Sequence, residues 1–285
     1  MTKLAFLGLG VMGYPMAGHL VAGGFDVTVF NRSTAKAHRW AGEHKGSTAE
    51  SIQDAVDGAD VVFMCVGDDP DVESVGAAAL SAMAPGSILV DHTTASPSLA
   101  RDLHAQCAKR GIGFVDAPVS GGQAGAENGK LSVMCGGNEA HFEIVRPIME
   151  TFSARIVHIG EAGAGQLCKA VNQICIAGVL QGLSEGVHFA KQTGLDIDRV
   201  LEAISGGAAQ SWQMENRMKT MDADEFEFGF AVDWMRKDLR IALSEGREAN
   251  VRLPITALVD QFYADVQEMG GGRWDTSSLL RRLTR

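Results

Sequence analysis

The sequence predicts an α/β protein in which an N-terminal, doubly wound, mostly parallel sheet is followed by an all-helical C-terminal domain joined to it by a long helix. Two observations predict this order. Residues 1 to about 160 alternate short apolar segments with helical stretches, which is typical of a parallel sheet. From residue 165 onward almost every segment has helical periodicity instead. We therefore place the domains at residues 1–162 and 163–285.

The elements of the first domain follow from apolar runs separated by turn-forming residues. The predicted strands are Leu4–Leu7, Val27–Phe30, Val61–Val66, Ser87–Asp91, Gly113–Val115, Leu131–Cys135 and Arg155–Ile159. The helical stretches predicted between them include Pro15–Ala22, Ala49–Val56, Asp71–Met83 and Ser96–Arg110. Ligands of such sheets bind at the carboxyl ends of the strands, so the chemistry is expected there.

The second domain begins with a predicted helix from Gln166 to about Gln192, roughly 40 Å long at 1.5 Å per residue. Its first half carries almost no charge, so it has to be covered by another helix or by another subunit. The further predicted helices are Asp196–Ile204, Ser211–Thr220, Val232–Glu248 and Pro254–Met269. We expect the substrate in a cleft between the two domains.

Composition limits the classes of partner. The 285 residues carry a formal net charge of −10, which disfavours nucleic acid or an anionic membrane as the main partner but not a small anionic substrate. No stretch of the second half is long and apolar enough to span a bilayer. The five cysteines form no CxxC pair and no metal-like spacing with histidine. We therefore expect buried thiols, no metal site and a cytoplasmic location.

A glycine-rich turn follows the first predicted strand and precedes a helical stretch, with glycines spaced as GxGxxG. In this motif the first glycine allows a tight turn, the second lets the backbone approach a pyrophosphate, and the third packs helix against strand. The diphosphate then binds to N–H groups at the helix start. The motif predicts a dinucleotide-binding Rossmann domain with cofactor contacts from Gly8, Gly10, Val11, Met12 and Gly13.

The end of the second predicted strand indicates which dinucleotide binds. NAD-binding domains usually place an acidic residue there to accept the ribose hydroxyls. Here Asn31 holds that position and Arg32 follows it. A guanidinium beside the ribose can donate two hydrogen bonds to a 2′-phosphate. Although Arg32 could also be a solvated loop cation, the pair favours NADP over NAD.

Two further segments carry candidate substrate-binding and catalytic residues. Ser120, Gly121 and Gly122 form a turn whose hydroxyl and N–H groups can cradle a carboxylate, although an ordinary glycine-rich turn has the same sequence. After a second glycine run, Lys169 and Asn172 lie three residues apart on one face near the start of the long helix. Partial burial there suits this lysine to proton transfer, and a solvated surface lysine is the alternative.

A third segment, Phe226–Phe230, precedes Trp234 and Lys237. Lys237 falls seven residues after Phe230, so both can face the same cleft. An aromatic core stripe explains the aromatic residues well and explains Lys237 less well.

Taken in order, these segments resemble the β-hydroxyacid dehydrogenase family, which includes 3-hydroxyisobutyrate dehydrogenase, tartronate semialdehyde reductase and the glyoxylate/succinic semialdehyde reductases. The resemblance spans almost the whole chain and rests on Gly8–Gly13, Asp91–Thr94, Asp116–Gly122, Gly163–Asn172 and Lys237–Leu239. It implies hydride transfer between a nicotinamide and a short 3-hydroxy acid or semialdehyde acid, in a homodimer or homotetramer. Two features depart from the family pattern: the pair at 31–32 and the loop Cys65–Asp69, which differs from the common Leu-Pro form.

The resemblance also implies the role of each site residue. Lys169 would be the general acid and base, Asn172 would orient the reacting oxygen, and the turn at residues 120–122 would hold the substrate carboxylate. The further cofactor contacts would come from Val66, Gly67, Thr94 and Lys237.

Two other functions fit parts of the same pattern. An imine reductase has a similar architecture, but such proteins usually lack a lysine at the place of Lys169. A non-catalytic cofactor-binding scaffold would typically lose this lysine or the glycine cradle, and the chain has both. A 6-phosphogluconate dehydrogenase is disfavoured because its helical domain is much longer.

Overall fold

The computed structural model describes residues 2–284 of the chain. Within that range nine strands form one sheet. They are β1 (Lys3–Leu7), β2 (Asp26–Phe30), β3 (Ser47–Thr48), β4 (Val61–Met64), β5 (Ile88–Asp91), β6 (Gly113–Asp116), β7 (Val119–Ser120), β8 (Leu131–Gly137) and β9 (Ser153–Gly160). Their order is β3-β2-β1-β4-β5-β6-β8-β7, with β9 paired to β8.

The sheet is mostly parallel. The strands from β3 to β6 along this order are parallel, β8 is antiparallel to β6 and β7, and β9 is parallel to β8. The strand order changes direction between β1 and β4, and ligands of open α/β sheets bind beyond the carboxyl ends of the strands at such a switch point.

Helices cover both faces of this sheet. Those of the first part of the chain are α1 (Gly13–Ala22), α2 (Thr34–His44), α3 (Ile52–Val56), α4 (Asp69–Leu80), α5 (Pro97–Ala108), α6 (Gly122–Glu127) and α7 (Glu139–Met149). Alternate residues of β1 enter two different apolar cores, Leu4 and Phe6 on one face and Ala5 and Leu7 on the other. Because both faces are buried, the sheet is doubly wound, as the sequence predicts.

The second part of the chain is helical. It contains α8 (Ala164–Gln192), α9 (Ile197–Ile204), α10 (Trp212–Asp222), α11 (Val232–Glu248), α12 (Pro254–Glu268), a 3₁₀ turn at Thr276–Ser278 and α13 (Leu279–Leu283). In residues 161–284 the only β-type pairing is an isolated bridge between Ala231 and Asp275. One core is formed by α8, α11 and α12, with Leu180, Leu239 and Val259 among its buried members. The predicted fold class is confirmed.

The chain divides into two compact units after Lys169, inside α8. The first turns of this helix belong to the first unit because the N–H groups of Gly163 and Gln166 donate to Asp116, at the end of β6. The boundary predicted between residues 162 and 163 remains a prediction.

Three properties bear on the expectations from composition. Among residues 2–284, no helix combines the length and hydropathy needed to cross a bilayer, and no three His, Cys, Asp or Glu side chains are grouped to hold a metal. All five cysteines are free thiols. Cys107 and Cys135 are buried, but the expectation of burial is wrong for Cys175, which lies on the exposed side of α8.

Candidate active site

The glycine turn after β1 combines two crowded positions with one open position. Gly8 has φ +98°, and a Cβ there would overlap the carbonyl oxygen of Cys65. A Cβ on Gly13 would overlap the carbonyl of Gly8 and the Phe6 ring. Around Gly10, however, nothing lies within 4 Å of the Cβ position. The protein itself therefore requires Gly8 and Gly13, whereas Gly10 leaves space that a ligand can occupy.

The start of α1 has the features of an anion site. The backbone N–H groups of Gly10, Val11 and Met12 reach no protein acceptor within the described chain. Met12, the N-cap residue, makes no side-chain capping bond, and the first turn holds no acidic residue. The helix dipole favours negative charge at this end. The turn thus fits the diphosphate of a dinucleotide.

Asn31 and Arg32 stand at the end of β2 in different environments. Asn31 is half-buried, and its Oδ1 accepts from the N–H of Leu9 at 2.9 Å, so its side chain holds the glycine turn in place. Arg32 is exposed. Lys36 follows one turn into α2 with its Nζ 6.0 Å from the Tyr14 ring centroid. Sequence reasoning missed Lys36, although it lies only four residues after Arg32 in the chain.

The loops after β4 and β5 meet near the candidate cofactor contacts. The N–H of Val66 donates to Thr93 Oγ1 at 3.0 Å, and the N–H of Thr93 donates to Asp91 Oδ1. Thr94, the predicted contact, is half-buried next to it. Sequence reasoning missed Thr93, which joins the two loops.

The predicted carboxylate cradle has the backbone of a tight turn. Gly121 and Gly122 adopt φ values of +128° and +61°, which only glycine adopts readily. Within residues 2–284, neither the Ser120 hydroxyl nor the N–H groups of these glycines donate to a protein acceptor. A Cβ on Gly122 would meet open space. These donors can therefore receive a small anion.

Lys169 lies against this cradle. Its side chain is only 7% exposed, and its Nζ donates to the carbonyl oxygen of Val119 at 2.9 Å. Val119 immediately precedes Ser120 in β7. The structure thus brings the predicted proton donor and the predicted anion cradle together, and a solvated surface lysine is excluded.

A buried carboxylate organises the start of α8. Asp116 accepts from the N–H of Gly163 at 2.7 Å and from that of Gln166 at 2.9 Å. Burial raises the pKa of Asp116, and these backbone hydrogen bonds oppose the rise. A Cβ on Gly165 would overlap the carbonyl of Met134. Gly165 therefore makes room for the helix start against β6 and β8.

Asn172 and Lys237 belong to one polar network of the second unit. Asn172 Nδ2 donates to Gln173 Oε1 at 2.8 Å, and Gln173 Nε2 donates to Asp238 Oδ2 at 2.6 Å. Lys237 Nζ lies 3.2 Å from Asp238 Oδ1 as an ion pair. All but Asn172 are buried. Sequence reasoning missed the roles of Gln173 and Asp238, since burial of an amide cannot be read from its position on a helix.

Two family models match the chain. Residues 3–160 match the NAD binding domain of 6-phosphogluconate dehydrogenase, and residues 163–283 match a domain described as NAD-binding of NADP-dependent 3-hydroxyisobutyrate dehydrogenase. Together with the Rossmann fold and its phosphate turn, they define an NAD(P)-dependent oxidoreductase that acts on CH–OH groups. The chain belongs to the β-hydroxyacid dehydrogenase family, as its motifs predict.

Similar proteins match over nearly their whole length. An uncharacterized oxidoreductase of Shewanella frigidimarina is 59% identical, with 99% of this chain and 98% of that protein covered. The 2-hydroxy-3-oxopropionate reductase of Escherichia coli is 35% identical, with 99% and 97% covered. The solved structure of 3-hydroxyisobutyrate dehydrogenase of Mycobacterium tuberculosis with L-serine has a TM-score of 0.90 at 31% identity, covering 100% of both chains.

Proposed function

We propose that the protein is an NADP-dependent oxidoreductase that transfers hydride between the nicotinamide and a short 3-hydroxy acid or semialdehyde acid, with Lys169 as general acid and base. One observation carries the proposal. The buried Lys169 ammonium bonds to Val119, the residue directly before a turn whose donors can bind a carboxylate. A carboxylate held there places its own carbon chain beside a proton donor.

The residues around the switch point fit NADP. The N–H groups of Gly10, Val11 and Met12 would hold the diphosphate, with Gly8 and Gly13 shaping the turn. At the end of β2 no carboxylate takes the place of the usual ribose acceptor, and Arg32 and Lys36 supply positive charge for a 2′-phosphate. The loop residues Val66, Gly67 and Thr94 and the buried Lys237 complete the proposed contacts.

The bound cofactor supplies or accepts the hydride. Lys169 donates a proton to the substrate oxygen in the reductive direction and removes it in the oxidative one. Its hydrogen bond to Val119 fixes the position of Nζ, and its burial keeps water from competing for the proton. A placed general acid of this kind accelerates a reaction by roughly 10²- to 10⁴-fold.

Substrate class follows from the cradle and from the relatives. Ser120 Oγ and the N–H groups of Gly121 and Gly122 would bind a carboxylate, and Asn172 would orient the reacting oxygen. The relatives are named for 2-hydroxy-3-oxopropionate and 3-hydroxyisobutyrate, and one was solved with L-serine. These compounds all carry a carboxylate, which supports a short acid as substrate here.

We also propose that the exposed side of α8 is an interface with a second copy of this chain. Its outer side exposes Val171, Val179 and Phe189 by 60%, 39% and 65%. Gly178, Gly182 and Gly186 have nothing within 4 Å of their Cβ positions, so a second helix can approach closely. Residues 170–184 of this helix carry no charged side chain, which suits a second copy of the same face in a homodimer or homotetramer. Light scattering after size exclusion tests this, and a monomer at micromolar concentration would contradict it. The cytoplasmic location stays a prediction.

NADPH oxidation with a panel of semialdehydes, glyoxylate and cyclic imines tests the proposed reaction. We expect turnover with at least one semialdehyde acid and preference for NADPH over NADH. Turnover of imines alone would favour an imine reductase. NADPH binding without turnover of any substrate would favour a scaffold.

A further inference from the structure

Gln166 occupies a buried position on the first turn of α8, and both ends of its side-chain amide are bonded. Oε1 accepts from the N–H of Ala95 at 3.0 Å, and Nε2 donates to the carbonyl of Thr93 at 2.7 Å. Its backbone N–H donates to Asp116 Oδ2 at 2.9 Å. One residue therefore joins the loop after β5, the end of β6 and the start of α8.

The two amide bonds lie on either side of Thr94. Thr93 continues the connection, because its Oγ1 accepts from the N–H of Val66 in the loop after β4. On the other side, Lys169 follows Gln166 by three residues, about 4.5 Å further along the helix axis. The loops proposed to contact the cofactor and the helix turn that carries the proposed proton donor are thus connected through Gln166.

The position requires an uncharged side-chain amide of this length, because the side chain has to accept one hydrogen bond and donate another. A carboxylate could accept from Ala95 but would face the carbonyl of Thr93 with a second acceptor. A leucine would leave the buried Ala95 N–H and Thr93 carbonyl without partners, and each such group is costly. Neither group has water to replace the amide, since Gln166 is 1% exposed.

We propose that Gln166 is a positioning residue. It holds the loop after β5, which contains Thr94, and with it the cofactor, in the position relative to the Lys169 ammonium that the reaction requires. This inference rests on the proposed function. It predicts that Gln166 affects NADPH affinity and turnover together, although it touches neither the cofactor nor the reacting atoms.

The first test compares Gln166→Leu with Gln181→Leu. Gln181 lies further along the same helix, and its side-chain amide donates to the exposed Glu185. NADPH affinity is measured by fluorescence, kcat by NADPH oxidation, and stability of the cofactor-free protein by thermal unfolding. Gln166→Leu should weaken NADPH binding about tenfold and lower kcat by a similar factor, because the two hydrogen bonds that hold the loop after β5 are lost. Gln181→Leu should change neither.

The second test uses Gln166→Glu between pH 5.5 and 8.5. When protonated, the introduced carboxyl can donate to Thr93 as the amide does, so NADPH affinity should recover toward that of the wild type as pH falls. Burial raises the pKa of such a carboxyl into this range. The charged or titratable groups on the segments that contact Gln166 are Asp91, His92, Asp116, Glu161 and Lys169. These groups are also present in the wild type and in Gln166→Leu, which has no carboxyl group at position 166. The loss of NADPH affinity in Gln166→Leu relative to the wild type should therefore not vary with pH.

A folded Gln166→Leu protein with NADPH affinity and kcat within twofold of Gln181→Leu would overturn the inference, even if its melting temperature fell. An absence of recovery in Gln166→Glu at low pH would also overturn it. If the wild-type protein itself bound no NADPH, the proposed function would fail instead.

Discussion

The two glycine-rich turns of this chain look alike in sequence and differ in what occupies the space beside them. In the turn at residues 8–13 the N–H groups of Gly10, Val11 and Met12 reach no acceptor among residues 2–284, and Gly10 faces open space. At residues 160–166 the N–H groups donate to the buried Asp116, and Gly165 packs against the carbonyl of Met134. The first turn is open to a ligand and the second is closed by the protein. A glycine run therefore indicates close approach, but not what approaches.

The largest expected effect follows from the closed turn. Asp116→Ala leaves two buried N–H groups at the start of α8 unsatisfied, so unfolding free energy should fall by about 2–5 kcal/mol. Asn138→Ala is the matched control, because Asn138 caps the exposed start of α7. Its loss should cost about 1 kcal/mol. Urea denaturation measures the free energy of unfolding of both variants. If it falls no further in Asp116→Ala than in Asn138→Ala, the assignment of a turn closed by Asp116 is contradicted.

Alanine substitutions at Gly10 and Gly165 should separate the two turns directly. Gly10→Ala places its methyl group in open space, so stability should change by about 0.5 kcal/mol or less. NADPH affinity should nevertheless fall roughly a hundredfold, or about 3 kcal/mol. Gly165→Ala should lower the melting temperature instead. Calorimetry of unfolding and of NADPH binding checks both, and unchanged NADPH affinity in Gly10→Ala would show that the first turn is not the diphosphate site.

His92 stabilises the segment that contains Asp116. Its Nδ1 forms a hydrogen bond of 2.7 Å with the carbonyl oxygen of Ala117, the residue after Asp116. Burial lowers the pKa of His92 from 6.5 to about 4. Below pH 6.5 the folded state therefore binds fewer protons than the unfolded state. The free energy of unfolding keeps its full value above pH 6.5 and decreases as the pH falls toward 4.

At pH 5 this loss amounts to about 2 kcal/mol. His92→Asn can keep a donor near Ala117 but does not titrate, so its stability relative to the wild type should rise by that amount between pH 7.5 and 5. Paired urea titrations at the two pH values measure the difference. Parallel pH dependence of the two proteins would show that His92 is not the group involved.

The smallest expected effect concerns cofactor choice at the open turn. Arg32→Ala should reduce the ratio of NADP to NAD affinity by roughly tenfold to a hundredfold, because hydrogen bonds to charged groups contribute about 1.5–3 kcal/mol. Arg39→Ala is the control: Arg39 lies within α2, where its Nε is 3.9 Å from Glu43 Oε1, and its loss should change the ratio less. Isothermal titration with both cofactors checks this, and an unchanged ratio in Arg32→Ala would refute the assignment.

The elements with strong periodicity could be predicted from the sequence. Val232–Glu248 has the predicted bounds, and the start of α5 follows from Ser96 Oγ accepting from the N–H of Leu99 with Pro97 in the first turn. Helices α2, α6 and α7 and the two-residue strands β3 and β7 were not predicted. A strand of two residues is too short to show an alternating pattern. In α7 the internal proline, Pro147, interrupts the helical pattern.

The candidate site was predictable where a motif carries its own geometry. The spacing of Gly8, Gly10 and Gly13 indicated a phosphate turn, and the glycine context of Lys169 indicated a buried lysine. Residues whose importance depends on distant partners were missed. Gln166 bonds to a loop more than seventy positions away, and Gln173 bonds to Asp238 across two helices. No local pattern in the sequence encodes those pairings.

Single-turnover reduction of a semialdehyde acid by Lys169→Ala, with NADPH affinity measured on the same protein, tests the proposed proton transfer most directly. Lys191→Ala is the control, because that lysine also lies on α8 and pairs with Asp222 at the surface. We expect Lys169→Ala to react roughly 10²- to 10⁴-fold more slowly with unchanged NADPH affinity, and Lys191→Ala to react normally. Near-normal turnover in Lys169→Ala would contradict the assignment of this lysine as the proton donor.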